Sequence, residues 1–473
     1  MAVSRKILWG GSIAAHQCEG AYKEDGKGLG IMDVVTTGSV SVPRSFHDEL
    51  KEGGTYPSHY GIDFYHKYKK DIALFAEAGF TALRISIDWA RIYPNGDDAA
   101  PNQAGIEHYR DVIMELRRNG IEPIVTLFHF EMPLNIVKKY GSWASRETVN
   151  LYLRYCETIF TEFKNIVTYW STFNEMNHLD ADLLLSDFFT YMNTGLCYSK
   201  IENPAKVMAE CAYNMTLSSV KAINLGHRIN PAFQIGCVFG LTPSYAKTCN
   251  PDDSILAFKN MERDWYQIDA MCKGSFPEYK LNEYRKRGIE INISDEDKKE
   301  YADSKLDFMG VNYYASSVST ALKSDHEDEN FFGAVSNPYL KQSDWGWTID
   351  PKGLRYLLMM LDRRYNIPMI ITENGLGAFD KKEEDGLVHD QYRIDYLKDH
   401  LDELKKSINE DCVNCFGYLM WGPIDLISAT TGEMKKRYGI IYVDQDDEGN
   451  GTLERSKKDS FYWFRDYTKN WNK

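Results

Sequence analysis

The sequence predicts an α/β fold, a single (β/α)8 TIM barrel over residues 1–473 with long strand-to-helix loops forming the active-site rim. Three observations carry this expectation. Eight short apolar runs alternate with long amphipathic segments, the rhythm of strands joined through helices. The runs show little strict apolar–polar alternation, as expected of strands covered on both faces. The connections are also unequal: links from helix to strand are tight, whereas several from strand to helix are long, which gathers the insertions at one rim. A doubly wound open sheet is the structural alternative, and the connection lengths favour the barrel.

Taken in order, the first strand is read over Ile7–Gln17, followed by a long connection, Cys18–Tyr60. A helix over Ile62–Ala78 ends at Gly79, a residue suited to a helix C-terminus, and leads to a strand over Ala82–Trp89. The helix Ile106–Asn119 ends at Gly120 and feeds the strand Glu122–His129. In Ser145–Asn165 the apolar positions Val149, Tyr152, Leu153, Cys156, Ile159, Phe160 and Phe163 step by three and four, so a helix precedes the strand Thr168–Glu175. After the connection Met176–Pro204 come a helix over Ala205–Leu225, a strand over Phe233–Gly240 and a helix over Ser254–Cys272. The charged stretch Glu278–Asp303 shows no assignable period. The strand Asp307–Tyr314, the connection Ala315–Pro351, the helix Gly353–Tyr365 and the strand Pro368–Asn374 follow. The helix Arg393–Asn409 and the strand Cys415–Trp421 complete the set. No Pro/Ser/Gly-rich run or break in composition divides the chain.

Hydrophobic residues make up 43% and charged residues 26% of the chain, which allows a large core and excludes a disordered or collagen-like protein. The formal net charge of −14 argues against binding to nucleic acid or an anionic membrane, both of which need a basic footprint. An anionic substrate would need local positive charge at its site. The nine cysteines lie mostly in apolar periodic segments, as free buried thiols do, and Cys412-Val-Asn-Cys415 is a lone CxxC without a second pair. Residues Met1–Lys6 lead into Ile7 without the apolar run of a signal peptide, and no window approaches a membrane span. The expected location is therefore cytoplasmic. No cofactor or metal is expected, since His16, His129 and Glu19 lack metal-ligand spacing and no strand ends in a lysine suited to a Schiff base. Assembly into a homo-oligomer is left open.

With strands in these positions, their C-terminal ends direct Gln17, Trp89, His129, Asn174, Glu175, Tyr314, Glu373, Asn374 and Trp421 into one cleft. Strands and barrel cores disfavour carboxylates. One strand-terminal glutamate alone would be read as a cap or an arginine partner. Two among indole, amide and imidazole groups have the composition that glycoside hydrolysis needs: one carboxyl to protonate the leaving oxygen, and a second to attack or to activate water.

Six segments in order, Trp9–Gly20, Leu83–Pro94, Thr126–His129, Thr172–Glu175, Gly310–Tyr314 and Ile371–Gly375, resemble glycoside hydrolase family 1 along nearly the whole chain. The resemblance implies a retaining β-glycosidase with Glu175 as acid/base and Glu373 as nucleophile. It implies that Gln17, His129 and Asn174 bind the sugar hydroxyls, that Asn312 and Tyr314 belong to the same site, and that Trp421 is the stacking platform. Arg84 and Tyr314 would hold Glu373. On this reading Arg84 lowers the Glu373 pKa, and the Glu373 charge raises that of Glu175. The family's usual Asn-Glu-Pro is Asn-Glu-Met176 here, a departure expected to act on the leaving-group side.

The segment Trp421–Gly439 bears on the substrate. Members acting on plain glucosides resemble one another in a carboxylate that holds the outer hydroxyls. Here hydroxyl residues and then Lys435-Lys436-Arg437-Tyr438 stand in its place. Most short charge runs are solvated turns. Loss of the carboxylate together with gain of cations instead resembles the 6-phospho-β-glucosidase branch, with Lys436, Tyr438 and either Ser428 or Thr430 as phosphate ligands. Ala429 is small where phosphogalactosidases have tryptophan, which implies gluco over galacto substrates, and Trp347 is expected in the same subsite. The expected partner is a small phosphorylated β-glucoside. A β-glucosidase on unphosphorylated sugar, a 6-phospho-β-galactosidase and a non-catalytic sugar-binding sensor barrel are the alternatives.

Overall fold

A computed structural model describes residues 7–180, 187–322, 335 and 337–471. Residues 1–6, where the sequence shows no signal-peptide run, lie outside that range, as do 181–186 and most of 323–336, within the connections after the fourth and sixth strands. Eight parallel strands close into a barrel: β1 (Leu8–Ser12), β2 (Ala82–Ser86), β3 (Glu122–Thr126), β4 (Tyr169–Asn174), β5 (Gln234–Gly240), β6 (Phe308–Asn312), β7 (Met369–Glu373) and β8 (Cys415–Trp421). Each strand pairs with its sequence neighbour among the eight, and β8 closes on β1 with Trp421 opposite Ser12.

Successive residues of a strand point to opposite faces. The inward set below the rim is apolar: Ala82, Ile124, Phe308, Ile370 and Leu419 are all buried and form a cluster of their own, with Tyr169 and Phe416 packed against it. The barrel interior is therefore a plug on which the site rests. Outward-facing residues meet an amphipathic ring that includes Phe64–Glu77, Gln103–Arg118, Arg146–Phe163, Pro204–Ile229, Pro251–Lys273, Pro351–Tyr365 and Gln391–Asn409.

All eight expected strands are present, but the first is too long as read. Strand pairing ends at Ser12, and Ala15–Cys18 is a helical turn, because the apolar run Ile13-Ala14-Ala15 suits either conformation. The charged stretch Glu278–Asp303 contains two short helices, Glu278–Lys286 and Asp295–Asp303, the second started by a Ser294–Asp297 capping box. Each anchors few buried side chains, so no apolar period marks it. A C-terminal helix, Asp459–Lys469, follows the elements that the sequence predicts. Its Phe464 lies edge-on to Trp9 of β1, with ring centroids 6.3 Å apart. All nine cysteines are free; Cys412 is exposed and Cys415 is buried at the start of β8. No helix among the described residues is long and apolar enough to cross a membrane.

Candidate active site

The two strands that present the glutamates share an irregularity. From Ser171 to Asn174, β4 takes three steps while β5 takes two, from Gly236 to Val238. From Val311 to Asn312, β6 takes one step while β7 takes two, from Ile371 to Glu373. An extra residue in a strand re-aims the side chains after it. Here one bulge turns Asn174 inward, and the other sets Glu373 opposite Asn312. Glu175 follows with φ 49°, a left-handed conformation that few non-glycine residues adopt, and one that such sites maintain at a cost of about 1–3 kcal/mol.

Glu373 is fixed at both oxygens. Arg84 Nη1 donates to Oε1 at 2.7 Å, and the Tyr314 hydroxyl donates to Oε2 at 2.7 Å. The same guanidinium donates from Nη2 to Asn174 Oδ1 at 2.7 Å and from Nε to Thr126 Oγ1 at 2.8 Å. Asn312 Nδ2 reaches Glu175 Oε1 at 2.7 Å, while its Oδ1 accepts from Thr372 at 2.7 Å. The other oxygen of Glu175 lies 3.3 Å from His178 Nε2.

The protonation order differs from the sequence expectation. Burial pushes the Glu373 carboxyl up to about 7; Arg84 opposes this and the Glu175 charge adds to it. Burial would raise Glu175 as well, but the charge and hydrogen bond of His178, with the Asn312 contact, hold it below the ordinary carboxylate range. Arg84 acts on Glu373 in the expected direction; burial, which outweighs it, and His178, which acts on Glu175, did not enter that reading.

Gln17, His129, Asn174, Asn312, Tyr314, Trp347, Trp421, Ser428, Thr430 and Tyr438 line one cavity with both glutamates. Gln17 Nε2 donates to the Ile427 carbonyl at 2.6 Å. Asn174 Oδ1 accepts from Arg84 and Asn312, which leaves its amide nitrogen to donate. Burial, reinforced by Arg84, keeps His129 well below its usual pKa and so neutral. Trp421 forms the wall 5.8 Å from the His129 ring.

Two expected cleft positions, Trp89 and Asn374, are corrected, and Met176 is placed in turn. Trp89 opens a short helix, Trp89–Ile92, is fully buried and stacks on Tyr155, because strand pairing ends three residues earlier. Asn374 is fully buried in the barrel wall, where it donates to the Tyr313 carbonyl and the Tyr396 hydroxyl and accepts from Tyr418. Met176 is buried in the core and does not line the cavity; its place on the cavity side is taken by His178, two residues on.

At the other end of the cavity the Lys435-Lys436-Arg437 run splits three ways. Lys435 is half exposed and pairs with Glu433 and Asp447. Arg437 turns inward, away from the cavity, to Asp425 at 2.8 Å and the carbonyls of Val443 and Gln445. Asp425 in turn accepts from Lys458, which also contacts Asp380, so a buried ionic cluster clamps the segment. Lys436 lies between these two; it is not itself among the residues that line the cavity, but its Nζ lies against the rings of Trp347 and Tyr438, which are. It is 2% exposed, its Nζ is 4.2 Å from the Trp347 ring centroid and 5.7 Å from that of Tyr438, and no carboxylate among the described residues pairs with it. Burial drives its pKa down to about 7. Ser428 Oγ and Thr430 Oγ1 are 3.1 Å apart, so both candidate hydroxyls face the same end. Arg44, overlooked in the sequence, donates to the Ala429 carbonyl at 2.8 Å and fixes that backbone. A lone arginine in a long connection gives no signal of such a role. Among the described residues no group of His, Cys, Asp and Glu has the make-up of a metal site.

A closed barrel whose rim holds two buried glutamates within a network of amide, guanidinium and phenol groups defines a glycosyl hydrolase. The chain belongs to glycosyl hydrolase family 1, whose model matches residues 2–473. It is 46% identical over 470 residues to an aryl-phospho-beta-D-glucosidase of Bacillus subtilis, covering 98% of this chain and 97% of that protein. It is 41% identical to a 6-phospho-beta-glucosidase of Escherichia coli, covering 97% and 96%. A family 1 β-glucosidase structure from Thermotoga maritima superimposes with a TM-score of 0.82 at 28% identity, covering 99% of each chain.

Proposed function

We propose that the chain is a retaining 6-phospho-β-glucosidase, which cleaves phosphorylated β-glucosides or cellobiose-type substrates to glucose 6-phosphate and an aglycone. The whole chain serves as one catalytic domain. The observation that carries the substrate class is Lys436, a buried cation in an aromatic wall without a carboxylate partner. Such a charge is costly to bury, and an anion docking against it would offset that cost. Ser428 or Thr430 and the Tyr438 hydroxyl complete the ligand set for the phosphate. The names of the relatives, an aryl-phospho-beta-D-glucosidase and a 6-phospho-beta-glucosidase, support the same reading.

In the first step Glu373 attacks the anomeric carbon and Glu175 protonates the departing oxygen. In the second, Glu175 takes a proton from the water that releases the sugar from Glu373. Arg84 and Tyr314 orient the nucleophile and draw off the charge it shares. Gln17, neutral His129, Asn174 and Asn312 bind the hydroxyls, and Trp421 supplies the ring face. Trp347 closes the phosphate end. Ala429, small and held by Arg44, leaves room for an equatorial 4-hydroxyl, which favours gluco substrates. A sugar phosphate does not cross a bilayer unaided, so the enzyme acts where its substrate is phosphorylated, in the cytoplasm.

Turnover of a chromogenic β-glucoside and of its 6-phosphate tests this reading. The phosphorylated compound should be cleaved and the plain one nearly inert; comparable rates would favour an ordinary β-glucosidase.

A further inference from the structure

We infer that His178 is a positioning residue that shares the acid/base proton with Glu175, so that the acid of this site is a two-residue unit. The inference rests on the reading of Glu175 as the acid/base. Glu175 leaves β4 in a left-handed conformation and caps a single 3-10 turn, Met176–His178, whose last amide donates to the Glu175 carbonyl at 3.2 Å. In such a turn residues three apart eclipse one another. The fold therefore stacks the imidazole over the carboxyl, with Nε2 3.3 Å from Oε2. The other carboxyl oxygen is already taken by Asn312, so His178 governs the oxygen left to exchange a proton.

Gly240, at the end of β5, makes room for the pair. A Cβ at that position would fall 2.2 Å from His178 Nε2 and 2.9 Å from Glu175 Cδ. On its other sides His178 meets the Phe189 ring, 5.1 Å away on the helix Asp187–Thr194, and the charges of Asp264 and Arg263 on the helix Pro251–Lys273. Those two charges have opposite signs, and burial pushes the Asp264 carboxyl up to about 6, so Glu175 is the dominant partner. Burial would lower the imidazole pKa, but Glu175 outweighs this and raises it.

In the resting site the proton therefore sits on Nε2. As the glycosidic bond breaks and the Glu373–carbon bond forms, the proton passes from Nε2 to Oε2 and on to the leaving oxygen. The attacking water later returns one proton to Glu175, and from there to His178. Two groups that share a proton titrate as a pair. The alkaline limb of kcat then belongs to the pair and lies higher than Glu175 alone would place it.

The test uses kcat for phenyl 6-phospho-β-glucoside, because in the complex the bound phosphate keeps Lys436 charged. In His178→Gln, which keeps a donor but cannot titrate, the alkaline limb should move down by about one pH unit or more; no shift, or an upward one, overturns the inference. Histidine NMR titration gives a second reading in case that variant does not fold. The His178 pKa should fall by about one unit or more in Glu175→Gln, and an unchanged value overturns the pairing. A wild-type enzyme inert towards phosphorylated glucosides would refute the proposed function alone, since the NMR titration still reads the pair.

Discussion

The two ends of the cavity are built on opposite principles. At the reaction end, both oxygens of Glu373 and of Glu175 are engaged, and all three nitrogens of Arg84 make hydrogen bonds. At the end proposed to hold the phosphate, Lys436 is just as buried, with aromatic rings around its Nζ; the Glu433 charge acts on it, but no carboxylate among the described residues forms an ion pair with it. Catalysis rewards groups fixed in advance, because reorganisation during the reaction is what slows it. Binding of an anion rewards the reverse, a charge left uncompensated until the ligand arrives. The clamp of Asp425, Arg437 and Lys458 lies beside Lys436 and shows that carboxylates were within reach of this segment. They are spent on Arg437 and Lys458 instead.

The largest effect should come from the fixed end. Glu373→Gln should lower kcat for the phosphorylated substrate by about 10⁴-fold or more. A loss within tenfold would mean that the paired network is structural and the chemistry lies elsewhere.

The pH profile assigns one limb to each end. Burial raises Glu373 to about 7, and it must be ionised to attack, so kcat/KM falls as pH drops below that value. Burial lowers Lys436 to about 7, and it must be charged to hold the phosphate, so kcat/KM also falls as pH rises above it. The expected profile is a narrow bell near neutrality. Replacing Lys436 with Met should shift the alkaline limb to the position that the Glu175–His178 pair alone sets, and leave the acid limb in place. If the alkaline limb persisted unchanged in the variant, it would not belong to the anion end.

Stability should separate the ends more gently. Lys436→Met removes a desolvated cation with no carboxylate partner and should raise Tm, whereas Arg84→Met strips a buried carboxylate of its partner and should lower it. Thermal melts that moved the same way for both would erase the distinction. The smallest change is at the 4-hydroxyl: Ala429→Trp should shift the gluco-to-galacto ratio of kcat/KM towards galacto by about tenfold. An unaltered ratio would remove Ala429 from substrate choice.

Much of this was legible in the sequence. The eight strands declare themselves as dense apolar runs, and Glu175 and Glu373 stand out because carboxylates are rare at such ends. Trp89 and Asn374 were misplaced because a run does not mark where pairing stops: β2 ends at Ser86, and the residue after Glu373 returns to the wall. His178 escaped notice because its partner is made by a one-turn 3-10 helix, a feature too short to leave a period. The three basic residues at 435–437 read as one patch, yet backbone direction sends each to a different environment. The bulges in β4 and β7 leave no trace in residue type at all.

The most direct test of the account pairs the loss of Lys436 with the loss of the substrate's phosphate. Rates for aryl β-glucoside and its 6-phosphate, each measured with wild type and Lys436→Ala, form a cycle that isolates the contact. Charge-assisted hydrogen bonds contribute about 1.5–3 kcal/mol each, so for one such contact the variant should lose about 10- to 150-fold on the phosphorylated substrate and almost nothing on the plain one. Equal losses on both would contradict a phosphate at Lys436.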